Sequence, residues 1–175
     1  MKKFILLLFF TSSLFSQTDK NNYTQPNKNA IYFEIGGLSL KPFSINYDRM
    51  LFTSNTVYFN STIGFGFDNK ESVNDSGYSI PVYFNLTTGL HKNNHFEIGI
   101  GAIYSNTKKT NDKERIIYGG VKIGYKYQSK NHLFFKTGLN IFSRFYVIED
   151  FNKNNPFKDL RLIGNIFNLS VGYSF

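Results

Sequence analysis

The 175-residue sequence contains no cysteine, no tryptophan and only four prolines. Without cysteine the sequence excludes disulfide bonds, thiolate metal sites and a lipid anchor attached to cysteine. Long apolar runs are also missing, since no stretch reaches the roughly 20 consecutive apolar residues that a membrane-spanning helix needs. These absences argue against a disulfide-stabilised small domain and against a helical membrane protein.

Aromatic residues and glycine are abundant instead, with 20 Phe, 12 Tyr and 14 Gly, although the mean hydropathy is only −0.28. Membrane β-strands produce such averages because only alternate residues face lipid. The formal net charge is +8. A basic chain can indicate nucleic-acid binding, but the lysines are spread over predicted turns and loops. We therefore expect no nucleic-acid partner.

The N-terminus is typical of an exported protein. Lys2 and Lys3 precede the apolar run FILLLFF, which is followed by the small and polar residues TSSLFSQ. This pattern predicts a signal peptide over residues 1–16, with cleavage after Ser16 or, because Leu14 is bulky, a few residues upstream. A buried N-terminal helix fits the basic start less well. The polar residues 17–29 are predicted to form a flexible lead-in.

The C-terminus alternates between large apolar and small or polar residues from Ile163 onward. This period of two predicts a β-strand with one apolar face. The ending resembles the C-terminal strand that outer-membrane β-barrels of diderm bacteria present to their assembly machinery. The resemblance implies an assembly signal made of the outward residues of this strand: Leu169, Val171, Tyr173 and Phe175.

The same alternation recurs along the chain and predicts eight strands, at about 30–38, 42–51, 56–67, 78–89, 94–105, 116–127, 132–144 and 163–175. Short connections alternate with longer charged ones, which is typical of membrane barrels. The pattern resembles the small eight-stranded outer-membrane barrels of the OmpA-barrel and OmpX type. We therefore predict an all-β fold, an eight-stranded antiparallel up-and-down transmembrane barrel over residues 30–175 with both termini periplasmic.

The two faces of the predicted strands differ in charge. The polar face carries six ionisable residues: Glu34, Asp48, Glu97, Lys122, Lys126 and Lys136. The apolar face is nearly free of charge and carries tyrosines near strand ends, as a bilayer selects, whereas a soluble lipocalin-like barrel would have an apolar interior. We predict a side-chain-filled polar lumen with Glu97 roughly opposite Lys122, and expect Asp48 and Lys126 to be solvated at the rim.

Catalysis and metal binding have little support in the sequence. His91, His95 and His132 all fall in or beside predicted periplasmic turns, while Ser79, in the external half, has no histidine near it. A lipid A acylase or deacylase needs a base beside its hydroxyl. The spacing of His91 and His95 suits a metal on a helix, but it occurs in a turn, where side chains are usually solvated. We expect no cofactor and no metal.

The sequence therefore favours a non-enzymatic structural or surface-interaction protein that acts through external loops 68–77, 106–114 and 145–162. A small-solute channel, a lipid A-modifying enzyme and an accessory subunit of an outer-membrane complex remain the alternatives. The expected partners are outer-membrane lipid and lipopolysaccharide, the barrel assembly machinery during biogenesis, and an unknown protein at the loops.

Overall fold

In the computed structural model, the structure describes residues 27–37, 39–54, 57–68, 75–91, 93–109, 112–149, 162–163 and 167–175. These residues form nine β-segments and no helix capable of crossing a membrane. The strands are β1 (Asn29–Gly36), β2 (Phe43–Ser54), β3 (Val57–Phe67), β4 (Asp75–His91), β5 (Asn94–Lys109), β6 (Asp112–Gln128), β7 (Leu133–Glu149), β8 (Leu162–Ile163) and β9 (Phe167–Ser174).

The strands close into an antiparallel barrel with eight positions. Each strand from β1 to β7 pairs with the next, and β9 pairs with both β7 and β1. The short β8 also pairs with β7, so β8 and β9 together occupy the eighth position. The predicted fold class is confirmed. The eighth strand was predicted as one segment over 163–175. The described ladder comprises β8 and β9, and residues 164–166 between them lie outside the described part of the chain.

We call the two ends of the barrel the turn end and the loop end. The turn end holds the connections between β2 and β3, β4 and β5, and β6 and β7, together with Asn27 and Phe175. The loop end holds the other connections. At the turn end the ring is sealed by mutual backbone bonds between Asn29 and Phe175, 2.9 and 2.8 Å long.

Strands β4–β7 are longer than their predicted counterparts, with 16 or 17 residues each, whereas β1, β2, β3 and β9 have 8 to 12. The extra residues lie at the loop end, where β5 and β6 pair as far as Lys109 and Asp112. The predicted loops 68–77, 106–114 and 145–162 are therefore partly strand. Residues 69–74, 110–111 and 150–161 lie outside the described part of the chain.

Alternation along every strand separates an apolar outer wall from a polar interior, as the sequence predicts. The outer wall includes Ile31, Ile63, Phe84, Ile100 and Val171, all exposed, and Ile100 is 64% exposed. The interior is lined by Asn, Ser, Thr and charged side chains that are almost completely buried. The core of this protein is therefore the polar lumen.

The first connection folds into the barrel instead of forming a short external turn. Gly36, Gly37 and Leu40 have positive φ angles of 70°, 80° and 58°, which reverse the chain direction within a few residues. Ser39 is fully buried, and its carbonyl oxygen accepts a 2.5 Å hydrogen bond from Ser79 Oγ. A Cβ atom on Gly66 would lie only 2.4 Å from Ser39 Cβ. Glycine at position 66 therefore makes room for this inserted segment, which spans residues 37–42 and of which residue 38 lies outside the described part of the chain.

A charged cluster in the lumen as candidate functional site

The lumen is organised in layers along the barrel axis. Toward the turn end, Tyr32 and Phe134 stack with ring centroids 4.8 Å apart beside Ala30. Toward the loop end, Tyr83, Ile103 and Phe142 form a second apolar cluster, against which Leu40 of the inserted segment packs. The six predicted lumen residues lie buried between and around these clusters: Glu34, Asp48, Glu97, Lys122, Lys126 and Lys136.

Glu97 is the centre of the largest ion-pair group. Its Oε1 atom lies 2.8 Å from Lys122 Nζ and 2.6 Å from Lys136 Nζ. Glu97 projects inward from β5, Lys122 from β6 and Lys136 from β7, so the group ties three consecutive strands together. A Cβ atom on Gly99 would lie 2.7 Å from Lys122 Cε. The lysine therefore reaches Glu97 across a position where glycine leaves space.

Asp48 and Lys126 form a separate pair across the lumen. Asp48 Oδ2 on β2 lies 2.8 Å from Lys126 Nζ on β6, and these side chains are only 2% and 5% exposed. The expectation that both are solvated at the rim is wrong. Sequence alone does not show how far neighbouring strands are staggered, and this stagger brings two residues from distant strands to the same depth inside the barrel.

Glu34 is held by polar neighbours from the closing strand. Its Oε2 atom accepts hydrogen bonds from Asn168 Nδ2 at 2.9 Å and Ser170 Oγ at 3.1 Å. Both donors are inward residues of β9, which pairs with β1. These bonds join the first and last strands through side chains as well as backbone. Sequence analysis assigned Glu34 to the lumen but did not identify these partners.

Each lumen lysine also lies over an aromatic ring. The Nζ atoms of Lys122, Lys126 and Lys136 lie 5.4, 5.5 and 5.4 Å from the ring centroids of Tyr83, Phe134 and Tyr32, respectively. A cation over a ring face is attracted by the ring quadrupole, and more strongly when it is removed from water. Each ammonium group is therefore held between a carboxylate and an aromatic face, which restricts its movement.

Several lumen groups have no hydrogen-bond partner in the described protein: both amide atoms of Asn140 and Gln128, and both ring nitrogens of His95. Buried polar groups of this kind are normally satisfied by ordered water. His95 corrects a second expectation, since it lies in β5 with its side chain buried edge-on to Tyr58, not solvated in a turn.

His132 does not complete a site with His95. His132 is exposed at the turn end, with Nδ1 2.7 Å from the carbonyl oxygen of Ser174. His91 ends β4, and its side chain lies outside the described residues. Within the described part of the chain, no three His, Asp or Glu side chains are grouped so that they could hold a metal ion.

The residues of the implied assembly signal lie on the outer wall at the turn end. Leu169, Val171, Tyr173 and Phe175 are all exposed, and Tyr173 stacks between His132 and Phe175. Their inward neighbours Ser170 and Ser174 are buried. The four side chains therefore form one continuous apolar stripe along the closing strand.

No protein-family model and no curated protein matches this sequence. Among solved structures, the chain is similar to the N-terminal β-barrel domain of OprF from Pseudomonas aeruginosa. The TM-score is 0.55 at 12% sequence identity, and the alignment covers 86% of this chain and all of that one. The similarity shows that the fold is an OmpA-like eight-stranded barrel.

Proposed function

We propose that the protein is an integral outer-membrane barrel with its turn end in the periplasm and its loop end outside the cell. The observation that carries the proposal is that the barrel has apolar side chains outside and ionisable side chains inside, which is the reverse of the arrangement in soluble proteins. A monomeric soluble protein rarely exposes so continuous an apolar surface. Lipid covers such a wall, while the closed ring of strands satisfies the backbone groups that lipid cannot.

We propose further that the barrel is closed to solutes and has a structural or surface-interaction role. Eight strands enclose an interior that side chains can just fill. Here the filling includes the ion-pair group of Glu97, the two apolar clusters and the inserted segment 37–42. This filling argues against a small-solute channel.

The taller wall of β4–β7 at the loop end supports a contact role, because these four strands extend beyond the rest of the rim. Lipopolysaccharide and an unidentified protein are the partners that we propose for this surface. The apolar stripe of β9 is the proposed signal for the assembly machinery, and residues 1–16 are proposed to be removed on export, followed by a lead-in over 17–29.

A catalytic role receives no support from Ser79, the loop-half serine considered above. Its hydroxyl is buried and donates to the carbonyl oxygen of Ser39. The two histidines whose side chains are described, His95 and His132, lie toward the turn end. We therefore propose a non-enzymatic protein.

The absence of cysteine allows a direct test of location and orientation. Single cysteines replace Lys108 at the loop end and Lys130 at the turn end, both exposed. In intact cells a membrane-impermeant maleimide should label Lys108→Cys, and should label Lys130→Cys only after the outer membrane is permeabilised. Labelling of both without permeabilisation, or recovery of the protein in the soluble fraction, would contradict the proposal.

A further inference from the structure

Charge is distributed unequally between the two ends of the barrel. At the turn end, Lys28, Arg49 and Lys130 are exposed, and Lys92 lies in the sequence between β4 and β5. No Asp or Glu side chain is exposed among the described residues there. The loop end and its connections carry eight of the twelve acidic residues, mixed with basic ones: Asp68, Glu71, Asp75, Asp112, Glu114, Glu149, Asp150 and Asp159. The turn end is therefore the more uniformly positive surface.

Arg49 lies on the side of the barrel, not on its open end. It follows Ile45 and Tyr47 on the outward side of β2 and is paired in register with Asn29 and Ser61 on the adjacent strands. The phenol of Tyr47 donates a 2.7 Å hydrogen bond to Asn29 Oδ1. The guanidinium group is thus on the outer wall, beside polar residues of the two adjacent strands.

The backbone of Lys28 lies beside β2, one residue beyond Arg49, because the carbonyl oxygen of Lys28 accepts a 2.7 Å hydrogen bond from the backbone nitrogen of Met50. After Met50 a β-bulge interrupts the register and leaves Leu51 and Phe52 exposed in succession, at 43% and 65%. Phe52 stacks on Phe59 of the outer wall. Leu51 and Phe52 therefore place exposed apolar side chains between Arg49 and the turn end of β2.

We propose that Lys28 and Arg49, the Arg49 patch, bind the phosphate groups of anionic phospholipids in the leaflet next to the turn end. The proposal rests on the membrane location proposed above. Guanidinium groups bind phosphate oxygens in a bidentate manner, and the lateral position of Arg49 faces lipid headgroups. Within the described part of the chain neither cation has a carboxylate partner, so both are available to a lipid.

The chain has no tryptophan, so Phe52→Trp supplies a single fluorescent reporter beside the patch. The full-length protein is refolded into phosphatidylcholine vesicles that contain equal fractions of either dibromo-phosphatidylglycerol or dibromo-phosphatidylcholine, with bromine near the carbonyl end of the chains. Both leaflets have the same composition, so the direction of insertion does not matter. Dibromo-phosphatidylglycerol should quench the reporter more strongly than dibromo-phosphatidylcholine does. At low salt the difference should correspond to a local enrichment of the anionic lipid of about fivefold for each cation.

The Lys28→Gln, Arg49→Gln double variant should abolish this preference, whereas Lys108→Gln, an exposed lysine at the loop end, should preserve it. High salt should weaken the preference in the parent protein. Equal quenching by the two lipids in the parent, or a preference that survives in the double variant, would overturn the lipid site. An Ile100→Trp reporter that is not quenched by phosphatidylcholine brominated near the methyl end of its chains would instead overturn the membrane location, and the lipid site with it.

Discussion

Two buried ammonium groups share one carboxylate, because Lys122 and Lys136 both contact Oε1 of Glu97. Removal of a partner from a buried ion pair leaves an uncompensated charge and costs about 3–5 kcal/mol. Glu97→Ala should therefore lower the free energy of unfolding by about this amount, less where water reaches the lysines. Urea titration of the refolded barrel, followed by the gel mobility of folded and unfolded protein, measures the change.

Lys130→Ala, at an exposed position, is the matched control and should change stability by no more than about 0.5 kcal/mol. Adding Lys122→Ala to Glu97→Ala should cost less than the sum of the two single changes, because the lysine has already lost its partner. Strict additivity would show that the two side chains do not act as a pair.

Ile100, on the outer wall near the middle of β5, tests which face contacts lipid. Ile100→Arg should destabilise the barrel in vesicles by about 2–4 kcal/mol, whereas Ile100→Leu should cost less than about 1.5 kcal/mol. The same urea titration measures both. If arginine were tolerated at Ile63, Phe84 and Ile100 alike, the apolar wall would not be facing lipid.

At the scale of elements, the inserted segment 37–42 depends on the absence of a side chain at Gly66. Gly66→Ala should displace Ser39, because the new Cβ atom would overlap its side chain. In the cysteine-free chain, Ser39→Cys should react with a maleimide slowly, and at least about tenfold faster once Gly66→Ala is added. Ser54→Cys, exposed on β2, calibrates full reactivity. Equal rates at Ser39→Cys in both backgrounds would show that the segment is not held in place by this contact.

The closing strand β9 supports a separate prediction about assembly. Phe175→Ala keeps the backbone bonds to Asn29 but removes the last side chain of the apolar stripe. It should lower the yield of assembled barrel in cells by several-fold, while leaving spontaneous refolding into vesicles nearly unchanged. Deletion of Phe175 should impair both, because it also removes those bonds. Normal cellular yields of Phe175→Ala would contradict the assembly-signal proposal.

Strands were predicted from sequence wherever one face is apolar, because the period of two is then strong, as in β3 and β9. The loop-end extensions of β5 and β6 were missed. Residues such as Asn106 and Lys108 lie beyond the apolar wall at the loop end. The strands pair there, but the sequence does not alternate between apolar and polar residues. The insertion of Ser39 into the barrel was also missed. It depends on the space left by Gly66, which is close to Ser39 in the structure but distant from it in the sequence.

The candidate site was predicted in composition, but the only part of its geometry that was predicted is the proximity of Glu97 and Lys122. All six ionisable residues could be assigned to the lumen from strand alternation. The sharing of Glu97 by two lysines, the depth of the pair between Asp48 and Lys126, and the aromatic ring beneath each lysine depend on the stagger of strands around the ring. That stagger follows from long-range backbone pairing, which one sequence does not show.

At the scale of the whole molecule, side chains fill the interior at several levels. The stacked rings of Tyr32 and Phe134 lie toward the turn end, the ion pairs lie in the middle, and Leu40 packs on Tyr83 and Phe142 toward the loop end. Water can satisfy single polar groups such as those of Asn140 within this filling. We expect no continuous water column between the two ends.

Electrical conductance of the full-length protein in planar lipid bilayers tests this closed barrel most directly. Insertion is first verified in the same preparation, by faster migration on SDS gels before boiling than after. The inserted wild-type protein should show no steady current across the bilayer at moderate voltage. A stable open channel with reproducible conductance and ion selectivity would contradict the account and favour a solute pore.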